Sequence, residues 1–301
     1  MAYTATPQRP FGALLTAMAT PFTEAGELSL PLTKQLAAHL AATGHDGIVV
    51  NGTTGEAPTT SDGEKRLVIE ATREAVGSKV KIVAGVGTND TAHSVRLAKE
   101  AAQAGADGLL VVTPYYSRPS QDGLTQHFLR LADATELPIM IYDIPGRSCV
   151  QLAEATLVNL AQHDQIVAVK DATGQAGEAF RKMVTTGLAY YAGDDALGLA
   201  LLTQGAAGIV SVIGHVTGQI WRQVIDAVDA QDLVKARLTA ARLLPVIHAI
   251  MGGGQGAVMA KAALEITGVL PSRTVREPLF PASEVEAGHV RQALKEAGLI
   301  K

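Results

Sequence analysis

The sequence predicts a (β/α)8 TIM barrel followed by a C-terminal helical extension, and three observations lead there. Short runs rich in Val, Ile and Leu alternate with longer amphipathic segments, the pattern of strands buried on both faces by crossover helices. Eight such runs occur, at residues 14–19, 47–50, 81–85, 108–112, 138–142, 166–169, 189–192 and 208–212, after which the chain reads as helices only. A glycine phrase recurs before three of them: Gly44-His45-Asp46-Gly47, Gly105-Ala106-Asp107-Gly108 and Gly205-Ala206-Ala207-Gly208. Each reads as a helix stopped by a left-handed glycine, two loop residues, and a second glycine where helix and sheet backbones come close.

The crossover helices carry start signals. Ser61 followed by Glu64 makes a capping box ahead of Leu67, Val68 and Ala71, and Asn89-Asp90 precedes Thr91, Val95 and Ala98. An open doubly wound sheet is the competing arrangement, yet no glycine-rich dinucleotide fingerprint follows the first run. Beyond the eighth run, helices are expected at 218–230, 232–251, 256–267 and 283–297. This divides the chain into a barrel over 1–225 and a helical domain over 226–301.

The 301 residues are 47% hydrophobic and 18% charged, ample for a large core. A net charge of -4 without basic runs argues against nucleic acid or anionic lipid as a partner, leaving small molecules and copies of the same chain. No window is long and apolar enough for a membrane span, and residues 1–10 hold no apolar signal core. Cys149 is the sole cysteine, so neither an internal disulfide nor a cysteine metal site is expected, and the cytoplasm is the default compartment.

In a barrel, polar residues at the carboxyl ends of strands are the candidates for chemistry. Here these ends read Asn51-Gly52-Thr53-Thr54-Gly55-Glu56, Thr113-Pro114-Tyr115-Tyr116, Tyr142-Asp143-Ile144-Pro145-Gly146-Arg147, Lys170-Asp171, Gly193-Asp194-Asp195 and Ser211. Lys170 follows an apolar run that carries its amine to the barrel rim, where desolvation and a nearby cation lower its basicity and let it attack a ketone. An isolated lysine at a strand end more often points to solvent; the neighbouring strand ends shift that balance. Tyr142 is placed to give and take a proton, with Thr53 and Tyr116 relaying it to water, although a lone tyrosine is more often a packing residue. Thr53, Thr54 and Gly55 offer hydroxyls and backbone N–H groups to a small carboxylate, and Arg147 offers a planar fork to a second. The alternatives are an ordinary turn and a surface ion pair. The eight histidines show no metal-ligand spacing, and neither metal nor cofactor is expected.

With Gly52-Thr53-Thr54-Gly55-Glu56, Thr113 to Pro119, Tyr142 to Arg147 and Val169 to Gly174 in this order, the chain resembles the dihydrodipicolinate synthase (4-hydroxy-tetrahydrodipicolinate synthase) family from about Gly12 to its C-terminus, actinobacterial members most closely. The resemblance implies pyruvate and aspartate 4-semialdehyde as substrates, an imine on Lys170, a proton relay through Tyr142, Thr53 and Tyr116, and a pyruvate carboxylate held by Thr53 and Thr54. It assigns the aldehyde's carboxylate to Arg147 and shaping of the site to the backbone at Gly193 and Val210. It also implies a homodimer or homotetramer, in which Tyr116 or its neighbour Tyr115 reaches into a partner's site. Members inhibited by L-lysine bind it in an interface cleft, whose matching residues here are Ala57, Pro58, Asp62, Lys65, Asn89, His93 and Tyr115. His93 stands in place of an acid and Lys65 adds a cation, so weak inhibition is expected. The chain departs from the pattern at Asp143, where many relatives have asparagine, at Gly146, and in the glycine-rich segment 252–256, where a looser helix connection is expected. That segment reads poorly as a phosphate loop, since no strand precedes it. A sibling aldolase such as an N-acetylneuraminate lyase is the nearest rival and lacks an arginine at the place of Arg147. A silent ligand-binding barrel would lack Lys170 or Tyr142.

Overall fold

Eight parallel strands close in chain order into a barrel: β1 (Leu14–Ala17), β2 (Gly47–Val50), β3 (Lys81–Gly85), β4 (Gly108–Val112), β5 (Ile139–Asp143), β6 (Ile166–Asp171), β7 (Ala189–Ala192) and β8 (Gly208–Ser211). The computed structural model describes residues 7–252 and 255–301; the first six residues and positions 253–254, the centre of the glycine-rich segment, lie outside it. Between strands run α1 (Leu30–Ala42), α2 (Asp62–Val76), α3 (Thr91–Gln103), α4 (Gln121–Ala132), α5 (Pro145–Ser148), α6 (Glu154–Leu160), α7 (Ala176–Thr186) and α8 (Gly198–Thr203). After β8 follow α9 (Gly214–Asp229), α10 (Leu233–Ala241), α11 (Leu244–Met251), α12 (Gly256–Ile266) and α13 (Glu284–Glu296).

The start and stop signals act as their chemistry requires. Ser61 and Glu64 form the reciprocal capping box of α2, and the Asp90 side chain accepts from Ala92 N at the head of α3. Gly44, Gly105 and Gly205 adopt φ of +93°, +95° and +96° after their helices. The second glycines of the phrase serve another purpose than the helix contact expected of them. They face the barrel floor: a Cβ on Gly108 would lie 2.3 Å from the Phe11 ring, and one on Gly208 2.0 Å from the Ala13 carbonyl oxygen. Their absent side chains make room for the N-terminal segment that plugs the barrel from below, where the Tyr191 hydroxyl donates to the Gly12 carbonyl at 3.0 Å.

Helix boundaries differ from expectation in two places. The stretch 232–251 is not one helix, because Pro245 in the first turn of α11 lacks the N–H that would continue α10. α9 begins earlier than its periodicity suggests, since Gly214 packs against β1, where a Cβ would meet the Thr16 hydroxyl at 2.1 Å. The expected domain boundary at residue 225 falls within α9.

Strand side chains alternate between two environments. Leu15, Val49, Val83, Leu110, Met140, Ala168, Tyr191 and Val210 fill the barrel interior, while their neighbours Leu14, Ile48, Ile82, Leu109, Ile139, Val169, Tyr190 and Ile209 pack beneath the helices. The helical extension is tied to the barrel mouth by a buried ion pair: Lys261 of α12, 1% exposed, donates to the Glu56 carboxylate at 2.5 Å and to the Thr274 carbonyl at 2.7 Å. The other Glu56 oxygen accepts from Arg276 N at 2.9 Å, and Lys261 lies over the Phe22 ring, 4.2 Å from its centroid. Burial pushes the Lys261 amine down to about 8, against the pull of Glu56. Lys261→Met leaves the Glu56 carboxylate buried without its lysine partner, an expected loss of roughly 3–5 kcal/mol in urea unfolding. The Glu56→Gln/Lys261→Met pair is expected to recover most of it. A single-variant loss below about 1 kcal/mol, the size for an exposed pair, contradicts this account.

Candidate active site

Lys170 lies within β6, one residue before its end at Asp171. Parallel pairing sets Lys170 beside Tyr142 of β5 on one side and Tyr191 of β7 on the other. Because Met140 and Ala168 point inward, Tyr142 and Lys170, two residues further along, do so as well. The Lys170 Nζ sits 4.2 Å from the centroid of the Tyr142 ring. With the residue only 4% exposed, the amine is inside the mouth and not at a solvated rim. Burial lowers its pKa to about 8; the Asp195 carboxylate opposes that shift and the Arg147 guanidinium adds to it.

Gly193 makes this placement possible. A Cβ there would fall 2.9 Å from Lys170 Cγ and 3.0 Å from Cε, so any larger residue would displace the lysine. The Gly193 N–H is spent on the Asp171 carbonyl at 2.7 Å, continuing the ladder past the end of β7.

Burial raises the Tyr142 hydroxyl to about 12, with Arg147 and a hydrogen bond with Thr53 pulling the other way. At neutral pH it is therefore a protonated group able to donate to an oxygen. The loop bearing Thr53 and the buried Thr54 runs between two left-handed residues, Asn51 at φ +56° and Glu56 at φ +55°. It is held by Thr20 Oγ1 donating to the Gly55 carbonyl at 2.6 Å and by Asn51 Nδ2 donating to the Lys65 carbonyl at 3.0 Å. Arg147 lies on α5, exposed, above the pair whose protonation it biases. Val210 belongs to the interior cluster through β8.

Tyr116 does not join this group within one chain. It is 90% exposed, in a left-handed conformation at φ +70°, so its ring stands clear of the barrel. The structure thus brings Lys170, Tyr142, Thr53, Arg147 and Gly193 to one mouth and leaves Tyr116 outside it.

Two contributors carry little sequence signal. Asp195, fully buried, receives the Ser211 hydroxyl, Val212 N at 2.8 Å and Ile213 N at 3.2 Å, which lashes the end of β7 to the end of β8 beside the lysine. Its position in a polar strand end marks it, but its partners lie 16 and more residues away. Glu56, the last residue of the Thr53–Thr54 motif, has its partner in α12. In the cleft implied by family resemblance, His93 Nε2 meets Asp62 at 2.9 Å, and Lys65 Nζ donates to the Thr60 carbonyl. Asp62 is thus engaged by His93, and Lys65 remains a half-buried cation whose basicity burial lowers. Among the described residues no set of three His, Cys, Asp or Glu side chains could hold a metal ion, and no helix is long and apolar enough to cross a membrane.

A family model described as the dihydrodipicolinate synthetase family matches residues 10–297. The chain is 54% identical over 295 residues to a 4-hydroxy-tetrahydrodipicolinate synthase of Kineococcus radiotolerans, covering 98% of this chain and 96% of that one. It is 50% identical over 299 residues to 4-hydroxy-tetrahydrodipicolinate synthase 2 of Streptomyces coelicolor, covering 99% of each. Among solved structures, it superposes with a TM-score of 0.93 and 36% identity on the lysine-bound enzyme of Cyanidioschyzon merolae, over 97% of this chain and all of that one. The chloride-inhibited Acinetobacter baumannii enzyme complexed with pyruvate gives 0.93 and 33%, over 96% of this chain and all of that one. A buried lysine against a tyrosine ring inside a barrel mouth, with full-length similarity of this depth, has one reading: the chain belongs to the dihydrodipicolinate synthetase family.

Proposed function

We propose that Lys170 is the imine-forming amine in a condensation of pyruvate with L-aspartate 4-semialdehyde that gives 4-hydroxy-tetrahydrodipicolinate, a lyase step of diaminopimelate and lysine biosynthesis. The observation that carries this reading is the buried amine of Lys170, lowered to about 8, against the ring of Tyr142. At pH 7 roughly one such amine in ten is neutral, against fewer than about one in a thousand for an ordinary lysine. The neutral Nζ attacks the keto carbon of pyruvate, and Tyr142 donates to the oxygen that leaves as water. Loss of a methyl proton from the imine gives an enamine, whose carbon attacks the aldehyde. Tyr142 and Thr53 move the proton to the new alkoxide. The amine of the second substrate then adds to the imine carbon and displaces Nζ, which closes the ring and frees Lys170. Thr53 and Thr54 hold the pyruvate carboxylate and Arg147 that of the aldehyde, while Gly193 and Val210 shape the wall.

Tyr116, clear of its own barrel, is proposed to complete the relay in a second copy, so that the working unit is a homodimer or a dimer of dimers. The cytoplasm is the proposed compartment, in keeping with a lone cysteine.

Borohydride with pyruvate is expected to add one pyruvyl mass to the peptide containing Lys170, with a trapping rate that rises with pH to a plateau above about 8. An adduct elsewhere, or none, refutes the mechanism. Keeping Lys170 cationic in this site costs on the order of 3 kcal/mol, because its folded pKa lies below the unfolded one. The penalty is complete below about 8 and fades as pH rises toward 10.5, so Lys170→Met is expected to be inactive yet more stable at pH 7 by about 1–3 kcal/mol. Equal or lower stability at pH 7 contradicts the buried-amine account.

Arg147→Ala is expected to raise KM for aspartate semialdehyde by an amount corresponding to about 1.5–3 kcal/mol, the size of a hydrogen bond to a charged group, with pyruvate little affected. It is also expected to move the pH limb of trapping upward, since Arg147 holds Lys170 down. Equal weakening of both substrates overturns the assignment. L-lysine is expected to inhibit weakly, because Asp62 is engaged by His93 and Lys65 brings a like charge to the cleft. Initial rates at saturating pyruvate check this, and half-inhibition below millimolar lysine contradicts it.

A further inference from the structure

The loop that carries Arg147 leaves the barrel at Asp143 and returns at Leu152, and its two ends meet at a buried cluster on the outer face of the barrel. Leu152 N donates to Asp143 Oδ2 at 3.4 Å. Lys182 of α7, 4% exposed, donates to the Leu152 carbonyl at 3.0 Å and lies 4.0 Å from the same carboxylate oxygen. Within the loop the buried Ser148 hydroxyl spans the Ile144 and Val150 carbonyls at 3.1 Å and 2.8 Å. At the return, Gln121 of α4 donates to the Gln151 carbonyl at 2.9 Å and accepts from Ala153 N at 2.9 Å. A segment sewn at its base in this way presents Arg147 from a fixed platform.

None of these groups touches the reacting atoms, and a lysine this deeply buried is costly to keep without a task. The groups facing Asp143 are Lys182 from α7, Asp171 from β6 and Tyr190 from β7. Asp143 Oδ1 has no hydrogen-bond partner among the described residues. Burial raises its carboxyl to about 7, with Lys182 pulling it down and Asp171 adding to the rise.

We propose that Lys182 is a positioning residue for the second substrate: with Asp143 it latches the return end of the Arg147 loop to the strand the loop left, and so sets how well the aldehyde's carboxylate is received. This rests on the reading of Arg147 given above. A misplacement of about 1 Å at a binding group costs as much as a hundred-fold, and the latch is the device that prevents it.

The test is Lys182→Met in the full-length enzyme. KM for aspartate semialdehyde is expected to rise between about ten- and a hundred-fold, while KM for pyruvate and the borohydride trapping rate stay within about two-fold of the parent. Amide exchange in the peptide covering 144–152 is expected to quicken. In an Arg147→Ala background the same substitution is expected to add little, since the two act through one contact. If Lys182→Met does not fold, Asp143→Asn/Lys182→Met, which removes both charges together, takes its place with the same expectations. Unchanged exchange in 144–152, equal effects on both substrates, or a full effect persisting without Arg147 each overturn the latch. An Arg147→Ala enzyme with unchanged KM for the aldehyde removes the Arg147 reading instead, and loop exchange then decides the latch by itself.

Discussion

In a pleated strand successive side chains leave by opposite faces, and in β5 and β6 this rule decides what the molecule can do. Tyr142 and Lys170 are register partners, so both enter the barrel together; Asp143 and Asp171, their successors, are partners too and both leave it. One pair of adjacent strands therefore sends the amine and the phenol of the proposed reaction inward, and a pair of carboxyls outward. A slip of one residue between the two strands would send Lys170 under the helices and an acid into the mouth. The chemistry is thus specified by pairing register before any loop is considered.

The outward and peripheral charges serve as fasteners. Glu56 with Lys261 fixes the threonine loop to the C-terminal helices, Asp195 fixes the end of β7 to that of β8, and Lys182 sits across the base of the arginine loop. Buried ions seldom add net stability, because the desolvation cost is close to the Coulombic gain. Their value here is geometric: each joins two segments that carry, or border on, a group at the mouth, and each would be destabilising if left half-made.

Much of this was legible along the chain, and the exceptions have a common cause. The strands, the capping box at Ser61, the left-handed glycines and the polar strand ends are local signals, and the barrel followed from counting them. Lys170 could be singled out because it follows an apolar run at a strand end, but not which side chains flank it, since that depends on pairing with β5 and β7. The floor glycines were misread because what they accommodate, Phe11 and the backbone at Ala13, lies far away in sequence. Lys182 carries no signal along the chain, because its place depends on α7 lying against the return of the arginine loop. Tyr116 could be read as a relay member, whereas its exposure became visible only once the barrel was closed without it.

The plugged floor has a consequence for traffic. Among the described residues, Phe11 packs beneath the interior cluster and Tyr191 is tied to Gly12, so the barrel is closed at its floor and open at its mouth. Whatever reacts at Lys170 must arrive and depart past the same rim. In the proposed reaction a first substrate bonded to the amine is the floor on which the second one stands, and it has no exit while the second is in place. Loading order is then a matter of depth, imposed by the shape of the container before any difference in affinity contributes.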